Sequence, residues 1–126
     1  MKNYLLDTNI LIYYFNGEME DNVKSKVSEL MRKSFHISVI SKMEFLGFPF
    51  NPQEREQAIQ LIEFAVLKPL NDDIVQRVID IRQQKRIKLP DAIIAATAME
   101  YSSVLVTRNT KDFNSLNLET FNPFGD

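Results

Sequence analysis

The sequence predicts an α/β fold in three layers, with a central parallel sheet of four to five short strands between two layers of helices. Short apolar runs alternate along the chain with longer segments whose apolar residues recur every three or four positions. This alternation of strands and helices indicates a parallel sheet, since parallel neighbours are joined by crossover helices. The 126 residues, 44% hydrophobic and 25% charged, suffice for one core, so we predict a single domain over residues 1–126.

The first strand is predicted over residues 3–6, and the helix after it, capped by Thr8 or Asn9, ends at Phe15 before Asn16-Gly17. The later elements follow in this order: helix 21–32, strand 35–39, helix 41–48, a helix from Pro52, strand 65–67, helix 72–85, a helix from Pro90 to Tyr101, strand 104–107 and strand 118–121.

Several classes of protein are excluded by what the sequence lacks. The chain contains no cysteine, so disulfides, thiolate metal sites and cysteine nucleophiles are excluded. It has no run of about 18 apolar residues, so we predict no transmembrane helix and expect a cytoplasmic protein without a membrane partner. The formal net charge of −2 gives no overall attraction to nucleic acid, so a polyanionic substrate would need local positive charge or a metal ion.

Four acidic residues interrupt otherwise apolar segments: Asp7 in LLDTNILIYY, Glu44 in SVISKMEFLGF, Asp91 in KLPDAIIAATA and Asp112 in VLVTRNTKDF. Taken singly, they could be a helix cap, a solvated side chain, a first-turn acid and a turn former. Three of the four, however, follow a predicted strand or begin a helix. Ligands bind at the carboxyl ends of parallel strands, so we expect these acids to meet there, with Asp7 at the mouth of the sheet facing a cleft.

Clustered carboxylates repel one another and raise one another's pKa values, and a divalent cation removes that conflict. A site made only of oxygen ligands favours Mg²⁺ or Mn²⁺ over zinc. Such an ion can activate water and stabilise the charge that develops during phosphoryl displacement. The sequence therefore predicts a metal site suited to phosphoryl displacement.

In order and spacing, the four acidic segments resemble a PIN domain of the VapC toxin type over nearly the whole chain. The resemblance implies a Mg²⁺- or Mn²⁺-dependent endoribonuclease, the toxin of a toxin–antitoxin module, which hydrolyses RNA and is held inactive by a cognate antitoxin. Asp7, Glu44 and Asp91 match the family's core acids. Asp112 fits a late fourth acid, because Asn109 stands where many relatives have Asp. The supporting polar side chains are Thr8, Asn9, Ser41, Thr107 and Asn109.

Six cations near these motifs are candidate RNA-binding residues: Arg82, Lys85, Arg86, Lys88, Arg108 and Lys111. The first four could equally be cations that complement the dipole at a helix C-terminus. His36, the only histidine, lies in a predicted strand and is interpreted as structural.

We also expect a homodimer, which relatives of this type usually form. The segment Met43 to Phe50 gives a physical reason, because its aromatic and apolar side chains cannot all face one core from a single helical turn. Two other functions stay open: a receiver-like phosphoacceptor domain, and a non-catalytic RNA- or protein-binding module on the same fold. The first is disfavoured because Lys68-Pro69-Leu70, and no aspartate, follows the third strand.

Overall fold

The computed structural model describes residues 2–125 and contains a five-stranded parallel sheet with strand order β3-β2-β1-β4-β5. The predicted α/β fold is confirmed; the ends of the predicted domain, Met1 and Asp126, lie outside the described residues. The elements are β1 (Asn3–Leu6), α1 (Thr8–Phe15), α2 (Asp21–Lys33), β2 (His36–Ser38), α3 (Val39–Leu46), α4 (Pro52–Glu63), β3 (Val66–Lys68), α5 (Asp72–Gln84), α6 (Leu89–Glu100), β4 (Ser103–Val106), a 3₁₀ turn (Thr110–Asp112) and β5 (Thr120–Phe121).

The two faces of the sheet bury different helices, because successive side chains of a strand point in opposite directions. Leu6 and Val106 pack with apolar residues of α1, α2, α3 and α4 in one core cluster. Their neighbours Leu5 and Leu105 pack with α6 in another. Helix α5 packs against α6 in a third cluster. The arrangement is a three-layer sandwich with the sheet in the middle.

The chain order creates a switch point between β1 and β4. From β1 the chain moves outward to β2 and β3, then returns to β4 on the other side of β1. Leu6 pairs with Val106, and the Asp7 N–H donates to the Val106 carbonyl at 2.9 Å, so both strands end at the same level. Crevices at such points are where open α/β sheets bind ligands.

Several predicted boundaries are wrong by a few residues, and two of the errors bear on the site. Asp7, rather than Thr8 or Asn9, caps α1, because its carboxylate accepts from the Thr8 N–H. Ser38 caps α3 through the Ser41 N–H, so β2 ends at Ser38 and the helix begins at Val39 instead of Ser41. Asn16 and Gly17 end α1 as predicted, Gly17 with a φ of 70°.

The other differences are at element ends. Helix α3 stops at Leu46, α6 begins at Leu89 and β3 and β4 are shifted by one residue relative to the prediction. The last strand is reduced to Thr120–Phe121. Within the described residues, no helix combines the length and apolar character needed to cross a bilayer.

The apolar segment from Met43 to Phe50 folds back onto its own domain, so our reason for expecting it to be exposed is wrong. Phe45 is fully buried, and the Phe50 ring lies 5.5 Å from the Phe45 ring and 4.9 Å from the Phe15 ring. Through edge-to-face contacts of this kind, the aromatic side chains pack against one another within one copy of the chain. Met43, 57% exposed, is the large apolar residue of this segment that faces solvent.

Candidate functional site

Asp7 lies at the switch point and, contrary to our expectation of an open mouth, is buried with 6% of its surface exposed. Its Oδ1 accepts from the Thr8 N–H at 2.7 Å, and its Oδ2 accepts from the Thr107 hydroxyl at 2.8 Å. Both donors are neutral, and neither supplies a counter-charge. The Asp7 carboxylate is therefore fixed in orientation, but its negative charge is not neutralised.

Burial is the main cause of a raised pKa at Asp7, which reaches about 6 instead of 3.8. The hydrogen bonds from Thr107 and Thr8 oppose the shift because they stabilise the charged form. The negative charges of Asp91 and Glu44 add to it. These contributions indicate a site in which acids are held together against their mutual repulsion.

Glu44 is connected to Asp7 through Thr8, the first residue of α1. The Thr8 hydroxyl donates to Glu44 Oε1 at 2.6 Å, a short bond typical of a carboxylate acceptor, and lies 3.1 Å from Ser41 Oγ. Ser41 in turn contacts Ser38 Oγ at 3.3 Å. Ser41, Ser38 and Thr8 are buried, so this row of hydroxyls fixes the side of α3 that carries Glu44. Sequence reasoning missed Ser38, although a serine between a strand and a helix in HISVISKME is typical of an N-cap.

Asp91 reaches the same end of the sheet because α6 runs antiparallel to the strands, so its first turn lies at their carboxyl ends. Its pKa is raised, first by burial and then by the charges of Asp112 and Glu44, while Lys88 lowers it. Asp112 is exposed at the end of the 3₁₀ turn after β4. Within residues 2–125, the salt bridges involve none of the four acids.

Asn9, the last residue of the LDTN segment, carries the one buried side-chain oxygen or nitrogen in the described part of the chain that lacks a hydrogen-bond partner, Oδ1. A buried acceptor left unpaired is costly, and such an atom often marks a water or ion position. This orphaned oxygen lies two residues from Asp7, on the helix that Asp7 caps.

The donor set fits a hard divalent cation, although the described residues contain no group of three acidic, His or Cys side chains already gathered to hold one. Mg²⁺ needs no such cage, because it usually keeps several waters and takes one or two carboxylates. Asp7 and Asp91 are the two acids whose pKa values are raised, and the oxygens of Glu44, Asp112 and Asn9 lie on the elements beside them.

Two clefts adjoin the acidic site. The first, the basic cleft, has a volume of about 490 Å³ and is lined by Lys85, Arg86, Ile87, Lys88, Asp91, Lys111, Asp112, Asn114 and Ser115. The second, the C-terminal cleft, has about 390 Å³ and is lined by Arg108, Asn109, Thr110, Lys111, Asp112 and Asn122. Four predicted RNA-binding cations thus border the first cleft and two border the second, with Lys111 common to both.

Arg82 is the exception among the predicted RNA-binding residues. It lines a neighbouring groove that shares Lys85, Arg86 and Ile87 with the basic cleft but contains none of the four acids. Its Nε donates to the Ile87 carbonyl at 3.3 Å, which secures the turn between α5 and α6. The supporting residue Asn109 does reach the site, since its backbone N–H donates to Thr107 Oγ1 at 3.1 Å. His36 is the first residue of β2, in register with Leu5, and burial lowers its pKa.

Comparisons with known proteins agree with this geometry. The profile of the PIN domain family matches residues 4–117. Ribonuclease VapC1 of Haemophilus influenzae (strain R2866) is 32% identical over 124 residues, covering 90% of this chain and 91% of the relative. Toxin FitB of Neisseria gonorrhoeae is 24% identical over 137 residues, covering 97% of this chain and 99% of the relative.

Solved structures give the same result. A chain of a toxin–antitoxin complex from Klebsiella pneumoniae is 31% identical, with a TM-score of 0.82 over 98% of this chain and 100% of that one. A chain of VapBC-1 from nontypeable Haemophilus influenzae is 25% identical, with a TM-score of 0.77 over 95% and 97% of the two chains. The chain therefore belongs to the PIN-domain family and, within it, to the VapC-type toxins.

Proposed function

We propose that this chain is a Mg²⁺- or Mn²⁺-dependent endoribonuclease, the toxin of a toxin–antitoxin module, and that residues 1–126 act as one domain. The observation that carries the proposal is Asp7: a buried carboxylate held by two neutral donors beside the charges of Glu44 and Asp91. Such an arrangement costs folding free energy unless the protein binds a cation there.

The protein's own residues then have distinct roles. Asp7 and Asp91 hold the cation, with Glu44 and Asp112 completing the acidic lining. Thr107 and the Thr8 N–H orient the Asp7 carboxylate, and the Thr8 hydroxyl orients Glu44. When bound, the cation supplies water activation and neutralisation of the charge that develops on the phosphodiester.

The basic cleft supports RNA as the substrate. Lys85, Arg86, Lys88 and Lys111 border a cleft that also contains Asp91 and Asp112, so phosphates can be bound beside the acidic site despite a net charge of −2. Contacts of this kind supply sequence-independent affinity for nucleic acid. Ribonuclease VapC1 bears the same activity in its name.

An antitoxin and a second copy of this chain complete the proposed assembly. The Klebsiella relative is part of a toxin–antitoxin complex, which supports a protein inhibitor for this chain as well. The segment Met43 to Phe50 no longer supports a homodimer, because it packs within its own domain. The proposal of a homodimer therefore depends on the usual assembly of the family. Light scattering at micromolar concentration tests it, with a monomeric mass as the contradicting result.

The receiver-like alternative has less support, because Pro69-Leu70, and no aspartate, directly follows β3, and a single acid directly follows β1. A non-catalytic module differs from the proposed enzyme in one measurable property: it would bind RNA without cutting it. Cleavage of a total RNA pool in Mg²⁺, in Mn²⁺ and in EDTA separates the two.

The test compares the wild type with Asp7→Asn, and uses Asp21→Asn as the control, because Asp21 is an exposed first-turn acid on α2. We expect cleavage by the wild type and by the control in either metal, and none in EDTA. Cleavage by Asp7→Asn at the wild-type rate would refute the proposal.

A further inference from the structure

Arg108 follows Thr107 directly and is held by two aromatic rings. Its guanidinium carbon lies 5.2 Å from the centre of the Tyr13 ring and 4.5 Å from that of Phe124. The two rings contact each other edge to face, with 5.5 Å between their centres. A planar guanidinium is well suited to such stacking, and the contacts restrict the side chain without using its N–H donors. We call Tyr13 and Phe124 the aromatic clamp.

The C-terminal segment is built to hold this clamp. Asn122 Nδ2 donates to the Gly125 carbonyl at 2.8 Å, and Asn122 Oδ1 accepts from the Phe124 N–H at 3.0 Å. The same Nδ2 lies 3.4 Å from the Arg108 carbonyl. One side chain thus shapes the turn that carries Phe124 and also joins it to the backbone of Arg108.

Arg108 differs from the arginines that serve the fold. Arg32 pairs with Glu29, and Arg77 pairs with Glu100 at 3.0 Å. Within residues 2–125, no carboxylate lies within salt-bridge distance of Arg108 and its side chain makes no hydrogen bond. An exposed arginine that is oriented but has all its donors free is suited to an anion from outside the chain.

The two clefts indicate which anion. They share Lys111 and Asp112 in their linings, so they adjoin each other at Asp112. The basic cleft adds Lys85, Arg86 and Lys88, and the C-terminal cleft adds Arg108. A chain of regularly spaced phosphates that follows both clefts past Asp112 would meet cations in each of them.

We propose that single-stranded RNA crosses the acidic site from the basic cleft to the C-terminal cleft, and that Arg108, oriented by the aromatic clamp, binds a backbone phosphate in the C-terminal cleft. The inference rests on the proposed ribonuclease function and extends it. It makes the last residues of the described chain part of the RNA-binding surface through Asn122 and Phe124.

The first test is the affinity of the full chain for a short, end-labelled single-stranded RNA, measured by fluorescence anisotropy in EDTA, with cleavage kinetics in Mg²⁺ measured separately. Arg108→Gln should weaken binding about tenfold, the size expected for one charge-assisted contact. It should reduce the slope of log affinity against log salt by about 0.7, the value for one phosphate on a single strand. In cleavage assays KM should rise with kcat nearly unchanged.

Two further variants separate charge from orientation. Arg108→Lys keeps the charge but cannot stack as a plane, so its salt slope should match the wild type while its affinity falls to an intermediate value. Phe124→Leu keeps the charge of Arg108 but removes one of the two rings that orient it, so it should weaken binding without changing the salt slope. The matched control is Arg55→Gln, because Arg55 is an exposed arginine on α4 that lines neither cleft; its affinity should equal that of the wild type.

The possible outcomes separate a failure of the proposed RNA path from a failure of the proposed ribonuclease function. If the wild type binds and cleaves RNA and Arg108→Gln does so with unchanged KM and salt slope, the RNA path is overturned and the ribonuclease stands. If Arg108→Gln weakens binding but Phe124→Leu, shown folded by its melting curve, does not, the role of the clamp is overturned. If the wild type neither binds nor cleaves RNA, both proposals fall together.

Discussion

Charged side chains at the two ends of strands β1 and β4 differ in their exposure and in their pairing. At the amino end, Lys2 pairs with Glu119 at 2.8 Å, and both side chains are about 60% exposed. At the carboxyl end, Asp7 is buried beside the charges of Asp91 and Glu44, without a cation within salt-bridge distance in the described part of the chain. Charges at the first end are hydrated and screened, whereas those at the second end raise one another's free energy.

Folding stability therefore does not explain the acidic end of the sheet. An exposed ion pair adds little to the fold and costs little. A buried acid among acids destabilises the fold, and its presence requires a benefit that the isolated chain does not show.

The largest effect is expected at Asp91, which stands in the first turn of a helix like Asp72 of α5. Asp91→Asn should reduce RNA cleavage at least about 100-fold, the upper end of what loss of a residue supporting a metal ligand costs. Asp72→Asn, an exposed first-turn acid, should cleave like the wild type. Initial rates on one RNA in Mg²⁺ measure both. Equal losses, or no loss, would mean that Asp91 is only a helix-dipole acid.

Divalent metal should stabilise the protein through the acidic end alone. At 100 times its dissociation constant, a ligand that binds only the folded state adds about 2.7 kcal/mol to the free energy of unfolding. Melting temperatures in rising Mn²⁺ should therefore increase for the wild type and much less for Asp91→Asn, relative to an EDTA-treated sample. A wild-type melting temperature that ignores tens of millimolar Mn²⁺ would count against a metal site.

Thr107→Val should show how much of the burial cost is offset by a neutral hydrogen bond. The substitution keeps the shape and removes the donor to Asp7 Oδ2, which should cost about 1.5–3 kcal/mol while Asp7 is charged. The loss should shrink as pH falls below about 6, because Asp7 then becomes protonated. Thr110→Val is the control, since no hydrogen bond of the Thr110 hydroxyl is found within residues 2–125. A loss independent of pH would contradict this reason.

The smallest effect is expected at the amino end. Lys2→Met removes the partner of Glu119 and should leave both the melting temperature and the cleavage rate unchanged within the scatter of repeats, because both side chains are exposed. A stability loss as large as that of Thr107→Val would remove the distinction between the two ends.

Much of the fold was predictable because it follows from local patterns. The alternation of apolar strands with amphipathic helices determined the parallel sheet, and Gly17 and Pro52 correctly marked an end and a start of helices. Two of the boundary errors, at the starts of α1 and α3, have one cause: a polar side chain that ends or follows a strand can also cap the next helix. Asp7 and Ser38 both do so, and a propensity argument assigns such a residue to neither role.

The acidic site was predictable only in part. The positions of Asp7, Glu44 and Asp91 follow from the rule that loops meet at the carboxyl ends of parallel strands. The burial of Asp7 did not follow, because it depends on Thr107, which lies 100 residues away in sequence. The aromatic clamp had no sequence signal either, since Tyr13, Arg108 and Phe124 come from three separate parts of the chain.

The pH dependence of stability in Asp7→Asn, measured in EDTA by urea unfolding, shows whether the buried charge of Asp7 destabilises the fold. The folded-state pKa of Asp7 is about 6 and its ordinary value is 3.8, so the folded state holds the proton more tightly than the unfolded state. The stability that comes from the protonated group is complete below pH 3.8 and is lost as pH rises through 6, amounting to about 3 kcal/mol.

We expect Asp7→Asn, which stays neutral, to be more stable than the wild type at pH 7, and the difference to close as pH falls from about 6 towards 4. The Asp21→Asn control should follow the wild type at every pH. The opposite result is a wild type that is more stable than Asp7→Asn at pH 7 and loses that difference on acidification. It would mean that charged Asp7 stabilises the fold, and it would contradict the claim that the acidic end is destabilised in the absence of a cation.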